Sequence, residues 1–218
     1  MTEEQKLRYE LLRAAKDVEQ AQEYYNFIMS GESKYAKVGP IRERMEDGVY
    51  LIYSDRYEKF NGNNDKSGVK YVGIVHDGHA IAVGLKDLGE HRLPYDSDLE
   101  KDDWKYGKGD VFAMNDFNGQ ANTEHLKRHG EFNFNLNDGE WLPSIGELAM
   151  IVLFKDEVNE ALEYVGGDKF LNDYYWSSTE YNANFAWFIL FSSALLYDGV
   201  KANNAHRCRP VAAFDFEH

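Results

Sequence analysis

Asp77-Gly78, set between two apolar and β-branched runs, constrains this chain more than any other pair of residues. The runs are Val69 to His76 and His79 to Leu85. Two residues of this type between them fit a type I′ turn, which needs positive φ at both central positions, so an antiparallel hairpin is predicted there. Val49-Tyr50-Leu51-Ile52-Tyr53 has strand composition, and Gly107 to Val111, after Trp104, leads into another strand. Asn61 to Asp65 and the acidic stretch Tyr95 to Asp103 read as loops, while Tyr174 to Phe216 is aromatic and β-like with few helix formers.

Helices are signalled more locally. Ser144 and Glu147 form an S-x-x-E capping box behind Pro143, and Leu148, Ile151 and Val152 supply the apolar face. A second helix is expected over Asp156 to Val165, with Val158, Ala161, Leu162 and Val165 inward and Gly166-Gly167 as its stop. A shorter one is expected over Asn122 to His129, capped by Asn122 or Thr123. The first segment reads as one long helix. Thr2 and Gln5 fit a capping box, and Leu7, Leu11, Ala14, Val18, Ala21, Tyr25 and Ile28 form a heptad seam that Ser30-Gly31 ends. The seam fits equally a helix packed on its own domain and one that self-associates into a homo-oligomer. The expected organisation is therefore an N-terminal helix over 1–31 and one globular domain over 40–218.

The chain of 218 residues carries 38 acids against 24 bases, a net charge of −14. That charge repels phosphate backbones and anionic lipid heads, which argues against nucleic acid or bare membrane as partners. The charged start of the chain has no signal-peptide core, so synthesis in the cytoplasm is expected, and no apolar run approaches the ~18 residues of a membrane span. Cys208 is the only cysteine, which excludes an internal disulfide. Arg207 and Arg209 beside it would lower its pKa.

Constellations for catalysis are missing from the sequence. His76, Asp77 and His79 cluster, but the turn already accounts for Asp77-Gly78, and surface histidines are the simpler reading. His125 and His129 lack the Glu that a zincin helix needs. Counted from Asp96, the acidic loop has Lys101 and Gly107 where a calcium loop requires Gly and Glu. No nucleophile elbow, P-loop or dinucleotide fingerprint occurs. No cofactor, no metal and no catalysis are expected.

From Trp141 onward the residues form a recognisable series. It runs Trp141-Leu142-Pro143-Ser144, Gly146-Glu147-Leu148, Asn159-x-Ala161-Leu162 and Gly166-Gly167. It continues with Tyr175-Trp176-Ser177-Ser178-Thr179-Glu180-Tyr181, Ala186-Trp187, and Arg209-Pro210-Val211 with Phe214. Upstream stand Asp47-Gly48-Val49-Tyr50, Val72-Gly73-Ile74-Val75 and Asn115 to Gly119 with Asn122-Thr123. In this order the series resembles retroelement-diversified variable proteins of gut bacteria and their phages, in the C-type-lectin-like branch related to formylglycine-generating enzymes. The resemblance implies an α+β, C-type-lectin-like fold, with a small twisted antiparallel sheet and two main helices. It also implies a diversified segment, here about 182–206, from which Lys, Glu, Gln, Met and Trp are excluded. Only Trp187 and Lys201 belong to that set between Asn182 and His206. The lone Cys208 departs from the paired cysteines of the enzymes, and the calcium-dependent sugar motifs of true C-type lectins do not occur. Ala194 stands where the family has Gly.

On this reading Trp141, Trp176 and Trp187 are scaffold. The ligand-binding face comprises Asn182, Asn184, Phe185, Phe188, Leu190, Ser192, Ser193, Leu195, Tyr197, Asp198, Asn203, Asn204 and His206. Ser192 to Asp198 and Ala202 to His206 follow neither strand nor helix period, as expected of residues selected for an external target. The ligand would be a protein or a glycan, and the protein itself would act on a phage virion or a cell surface. The alternative is an undiversified phage-tail or cell-surface adhesin module of the same fold. An enzyme of the formylglycine-generating branch is the third reading.

Overall fold

The computed structural model describes residues 45–95, 113–128 and 131–214. The N-terminal helix and its seam, most of the acidic loop and the strand expected near Val111 lie outside the described residues. The described chain runs β1 (Gly48–Ile52), β2 (Tyr57–Lys59), β3 (Tyr71–His76), β4 (His79–Gly84) and β5 (Glu90–His91). Then come α1 (Gly119–Arg128), β6 (Glu140–Trp141), α2 (Ile145–Leu153) and α3 (Lys155–Tyr164). The strands β7 (Tyr174–Glu180), β8 (Phe185–Leu190), β9 (Leu195–Val200), β10 (His206–Arg207) and β11 (Val211–Ala213) complete it. Two sheets result, one ordered β2-β1-β3-β4-β11-β6 and the other β5-β10-β7-β8-β9. The expected α+β fold with one small antiparallel sheet is thus overturned. The chain is mostly β, with sheets of six and five strands and three short helices among the described residues, and β10 pairs parallel to β7.

The hairpin forms where it was predicted. His76 pairs with His79, and Asp77 and Gly78 both take positive φ, +49° and +75°, as the type I′ turn demands. Alternation along these strands serves two buried faces. Val49, Leu51, Val72, Ile74, Ile81 and Val83 enter the main core, with Ile145, Leu148, Ile151, Val158 and Leu162 of the helices and Tyr175, Trp187, Ile189 and Phe191 of the second sheet. Tyr50, Ile52, Val75 and Ala82 point the other way, under Phe214, whose ring meets those of Tyr50 and Tyr57 edge-on at 5.8 and 5.6 Å.

The α2 start follows the sequence signal in full. The Ser144 hydroxyl accepts the Glu147 N–H, and the Glu147 carboxylate accepts the Ser144 N–H at 2.8 Å and the Trp141 indole N–H at 3.2 Å. After α3, the Gly167 N–H reaches the Leu162 carbonyl and the Gly166 N–H that of Glu163, which closes the helix as a Schellman motif. The α1 helix begins three residues before the expected cap. Neither Asn122 nor Thr123 caps it: Asn122 donates its amide to Asp116, and the Thr123 hydroxyl bridges the Leu142 backbone. His76 is not on the surface either. It is buried, with its Nδ1 at hydrogen-bond distance (2.8 Å) from the Asp47 carboxylate and its ring edge-on to Phe154.

Two predictions follow from these local geometries. Ala194 sits at φ +57° in the turn between β8 and β9, where an L-residue costs roughly 1 kcal/mol or more. Ala194→Gly should therefore raise stability by about 0.5–1 kcal/mol in denaturant melts, the extra unfolded-state freedom of glycine being subtracted. A loss of stability would show that the turn is relaxed with alanine. Burial pushes the Glu147 carboxyl up from the ordinary 4.5 to about 7. The folded state then holds an extra proton between those values, so this contribution is fully present below about pH 4.5 and is lost as pH rises through about 7. Glu147→Gln keeps an acceptor for both N–H groups but cannot ionise. Relative to wild type it should gain on the order of 1–3 kcal/mol between pH 5 and pH 8. A difference independent of pH would mean that Glu147 ionises freely in the fold.

Candidate functional site

The five-stranded sheet is covered on one side by the main core and on the other only in part. Trp176, Ala186 and Phe188 point to that other side and are buried with Leu93, Leu126, Phe134, Leu142 and Cys208. The Trp176 indole donates to the His91 carbonyl at 3.0 Å, which fixes the ring. Beyond Phe188 the covering stops.

What remains there is a set of rings from four adjacent strands, Tyr174 and Trp176 on β7, Phe188 on β8, Tyr197 on β9 and His206 on β10. Phe188 lies at the centre, edge-on to Tyr174 (5.4 Å) and Trp176 (5.3 Å), stacked at 21° with Tyr197 (5.6 Å) and 4.3 Å from His206. Tyr174 stands at 80° to Tyr197, with centroids 6.1 Å apart, so the two outermost rings form a corner. Tyr174 is 37% exposed and Tyr197 40%, whereas Phe188 is 8% exposed. Neither phenol makes a hydrogen bond among the described residues. Burial holds the His206 imidazole below its ordinary pKa, and its buried Nε2 has no hydrogen-bond partner among the described residues. Gly199 makes room for the group, because a Cβ there would sit 2.5 Å from the Asn204 amide nitrogen and 2.8 Å from the Phe188 ring.

The thirteen residues named from sequence do not form one face. Tyr197 and His206 belong to the ring cluster, with Phe188 buried beneath them. Leu190 and Leu195 pair at its end, both half-buried, and Asn204 borders it. Ser192 and Ser193 are exposed in the tight turn beyond, where the Ser193 and Ala194 N–H groups meet the Leu190 carbonyl. Phe185 and Asp198 lie on the opposite side by strand alternation, Phe185 half-buried and Asp198 exposed at the edge strand. Asn182 serves the β7–β8 turn, its side-chain oxygen accepting the N–H groups of Asn184 and Phe185, and Asn184 and Asn203 are exposed turn residues. Tyr174 was missed, although an aromatic directly before Tyr175-Trp176 in a strand must point with Trp176.

The segment 182–206 has a folding logic of its own. Ala186 to Ile189 are buried, facing one core or the other in turn. Lys201 is buried too, against Glu180 at 2.5 Å, with His125 3.3 Å from the other carboxylate oxygen. Cys208 is fully buried, and burial pushes its thiol well up rather than the neighbouring arginines pulling it down. Among the described residues no three His, Cys, Asp or Glu side chains converge on a metal position.

No protein-family model matches the sequence. A search of curated proteins finds no match. Among solved structures the fold is similar to that of a fimbrial protein from Bacteroides ovatus, at a TM-score of 0.50 and 15% identity over 78% of this chain. The likeness is to a fimbrial β fold. The chain spans about half the length of that protein, 49%. At such identity the fold alone is shared. The resemblance to retroelement-diversified C-type-lectin-like proteins is thereby corrected: short motifs between Asp47 and Phe214 carried it, and the two-sheet architecture does not.

The division between buried and open rings is measurable by thermal melts. Trp176→Ala and Trp187→Ala should each cost roughly 3–5 kcal/mol, and Phe188→Ala about 3, since each empties a packed site. Tyr174→Ala and Tyr197→Ala should cost about 1 kcal/mol or less. If the two tyrosines destabilise as much as Trp176, they are core residues and the face is closed.

Proposed function

We propose that this chain is a non-catalytic module of a bacterial surface or adhesive structure, and that it engages its partner through the Tyr174–Tyr197 face. The similarity to a fimbrial protein carries the surface role, as the fold likeness covers most of this chain. The ring cluster supports the place of contact. Exposed tyrosines on a rigid sheet lose little entropy on binding, and aromatic anchors of this kind supply most of the energy at recognition sites. The partner is a component of another surface, and the net charge of −14 disfavours nucleic acid and anionic lipid. Of the two surface roles open from sequence, the adhesin-type module without diversification is the one supported.

The purified, fluorescently labelled protein should bind a subset of a panel of mammalian and bacterial cells in flow cytometry. The double variant Tyr174→Ala/Tyr197→Ala should lose that binding while keeping its melting temperature. Binding unchanged in the double variant would move the contact elsewhere on the molecule, and absence of binding across the panel would remove the adhesive role.

A further inference from the structure

The polar atoms around the two tyrosines point to a class of ligand, on the assumption that this face is the recognition surface. Elsewhere the fold commits many of its hydroxyls, although the buried Trp187 Nε1 and Arg209 Nε also have no hydrogen-bond partner among the described residues. The Tyr50 hydroxyl donates to Glu46, Tyr164 to Asn64, Tyr175 to Asp87 and Tyr71 to Glu140, and the hydroxyls of Ser144, Ser177, Ser178 and Thr179 are all bonded. At the face the pattern reverses. The hydroxyls of Tyr174 and Tyr197 and the side-chain amide of Asn204 make no hydrogen bond among the described residues, and the His206 Nε2 behind them has none. Three groups able to donate and accept therefore surround two ring faces set at 80°.

The size of the open aromatic surface limits what can use it. Tyrosine side chains offer on the order of 150–250 Å² each. At 37% and 40% exposure the two leave roughly 120–200 Å² of aromatic surface together. The same area suits one or two sugar rings. The charge is also one-sided: Asp173, next to Tyr174, and Glu90 both act on the His206 imidazole, and Arg207, the cation on β10, is engaged by Asp173 at 3.1 Å and Asp87 at 3.3 Å. With a net charge of −14, an acidic ligand would meet no free cation here and a repulsive field.

We infer that the face binds a neutral carbohydrate. A pyranose lies with its C–H face on the Tyr197 ring, Tyr174 forms the wall of the corner, and the two phenols and the Asn204 amide exchange hydrogen bonds with ring hydroxyls. Such groups read a hydroxyl-rich ligand sharply, because a buried polar atom left unpaired costs more than a lost contact.

The test uses the full chain on an array of neutral and acidic oligosaccharides, with hits measured by isothermal titration calorimetry. Neutral glycans should bind. Tyr197→Ala and Tyr174→Ala should each weaken binding about tenfold or more. Tyr197→Phe, which keeps the ring and drops one hydroxyl, should weaken it less than Tyr197→Ala. Selective binding of sialylated or sulfated glycans would overturn the inference. So would cell binding that depends on both tyrosines yet survives enzymatic removal of surface glycans, which would leave the recognition face standing with a protein partner. Cell binding indifferent to both tyrosines would instead dismiss the face itself.

Discussion

The buried guanidinium of Arg209 holds the two sheets in one structure. Residues 81–91 and 206–213 run as one antiparallel ribbon, β4 against β11 in the first sheet and β5 against β10 in the second. Between those pairs the ribbon bends, with the Gly84 N–H on the Pro210 carbonyl and Leu88 and Gly89 bonded to Cys208. Arg209 sits at the bend and is fully buried. It donates to the Gly84 carbonyl at 3.0 Å and the Asp168 carbonyl at 2.8 Å, lies 3.6 Å from the Asp87 carboxylate and covers the Phe170 ring at 4.5 Å. A cation taken from water is tolerable only with such compensation, and removal of its partners would leave a cost of several kcal/mol. The corner also decides where β10 goes. Before it the chain runs parallel to β7 and places His206 in the ring cluster, and after it the chain crosses to β4 as β11.

A second set of polar contacts fastens the helices to the sheets. The Asp116 carboxylate accepts the Thr179 hydroxyl at 2.7 Å and the Asn122 amide at 2.5 Å, while its backbone carbonyl accepts the Ser144 hydroxyl and the Gly146 N–H. The Thr179 hydroxyl in turn accepts the Ile145 N–H at the start of α2. One buried carboxylate thus joins α1, α2 and β7. It also explains why three consecutive hydroxyl residues, Ser177 to Thr179, occupy a buried strand: each satisfies or bridges a backbone group that packing alone would strand.

Locally encoded features were legible in the sequence. The Asp77-Gly78 turn, the Ser144–Glu147 box and the Gly166-Gly167 stop depend on residues within a few positions of each other, and they hold as read. The tryptophans at 141, 176 and 187 are buried as expected of scaffold. Failures came where partners are distant in sequence. Thr123 looks like a cap but answers to Leu142, and nothing near Asp116 announces Thr179 sixty-three positions on. The largest error concerned β8. Phe185, Phe188 and Leu190 were assigned to one binding face, whereas this strand is packed on both sides and Phe185 points away from the side that Phe188 and Leu190 share.

Part of the site was legible for the opposite reason. Tyr197 and His206 stood out because nothing local explained them, and the fold leaves Tyr197 open and the His206 Nε2 without a partner. Phe188 looked the same in sequence but supports the site from below, since its ring is what Tyr197 stacks on and what Tyr174 meets edge-on. The platform is therefore stiff without being strained. Its base belongs to the packed cluster around Trp176, and its upper rings each rest on that base through contacts near 5.5 Å. Rings ordered in this way by the core beneath them have little freedom left to lose when a ligand arrives. In the proposed recognition face the aromatic atoms are held by the fold, while the phenol oxygens at their tips make no hydrogen bond among the described residues.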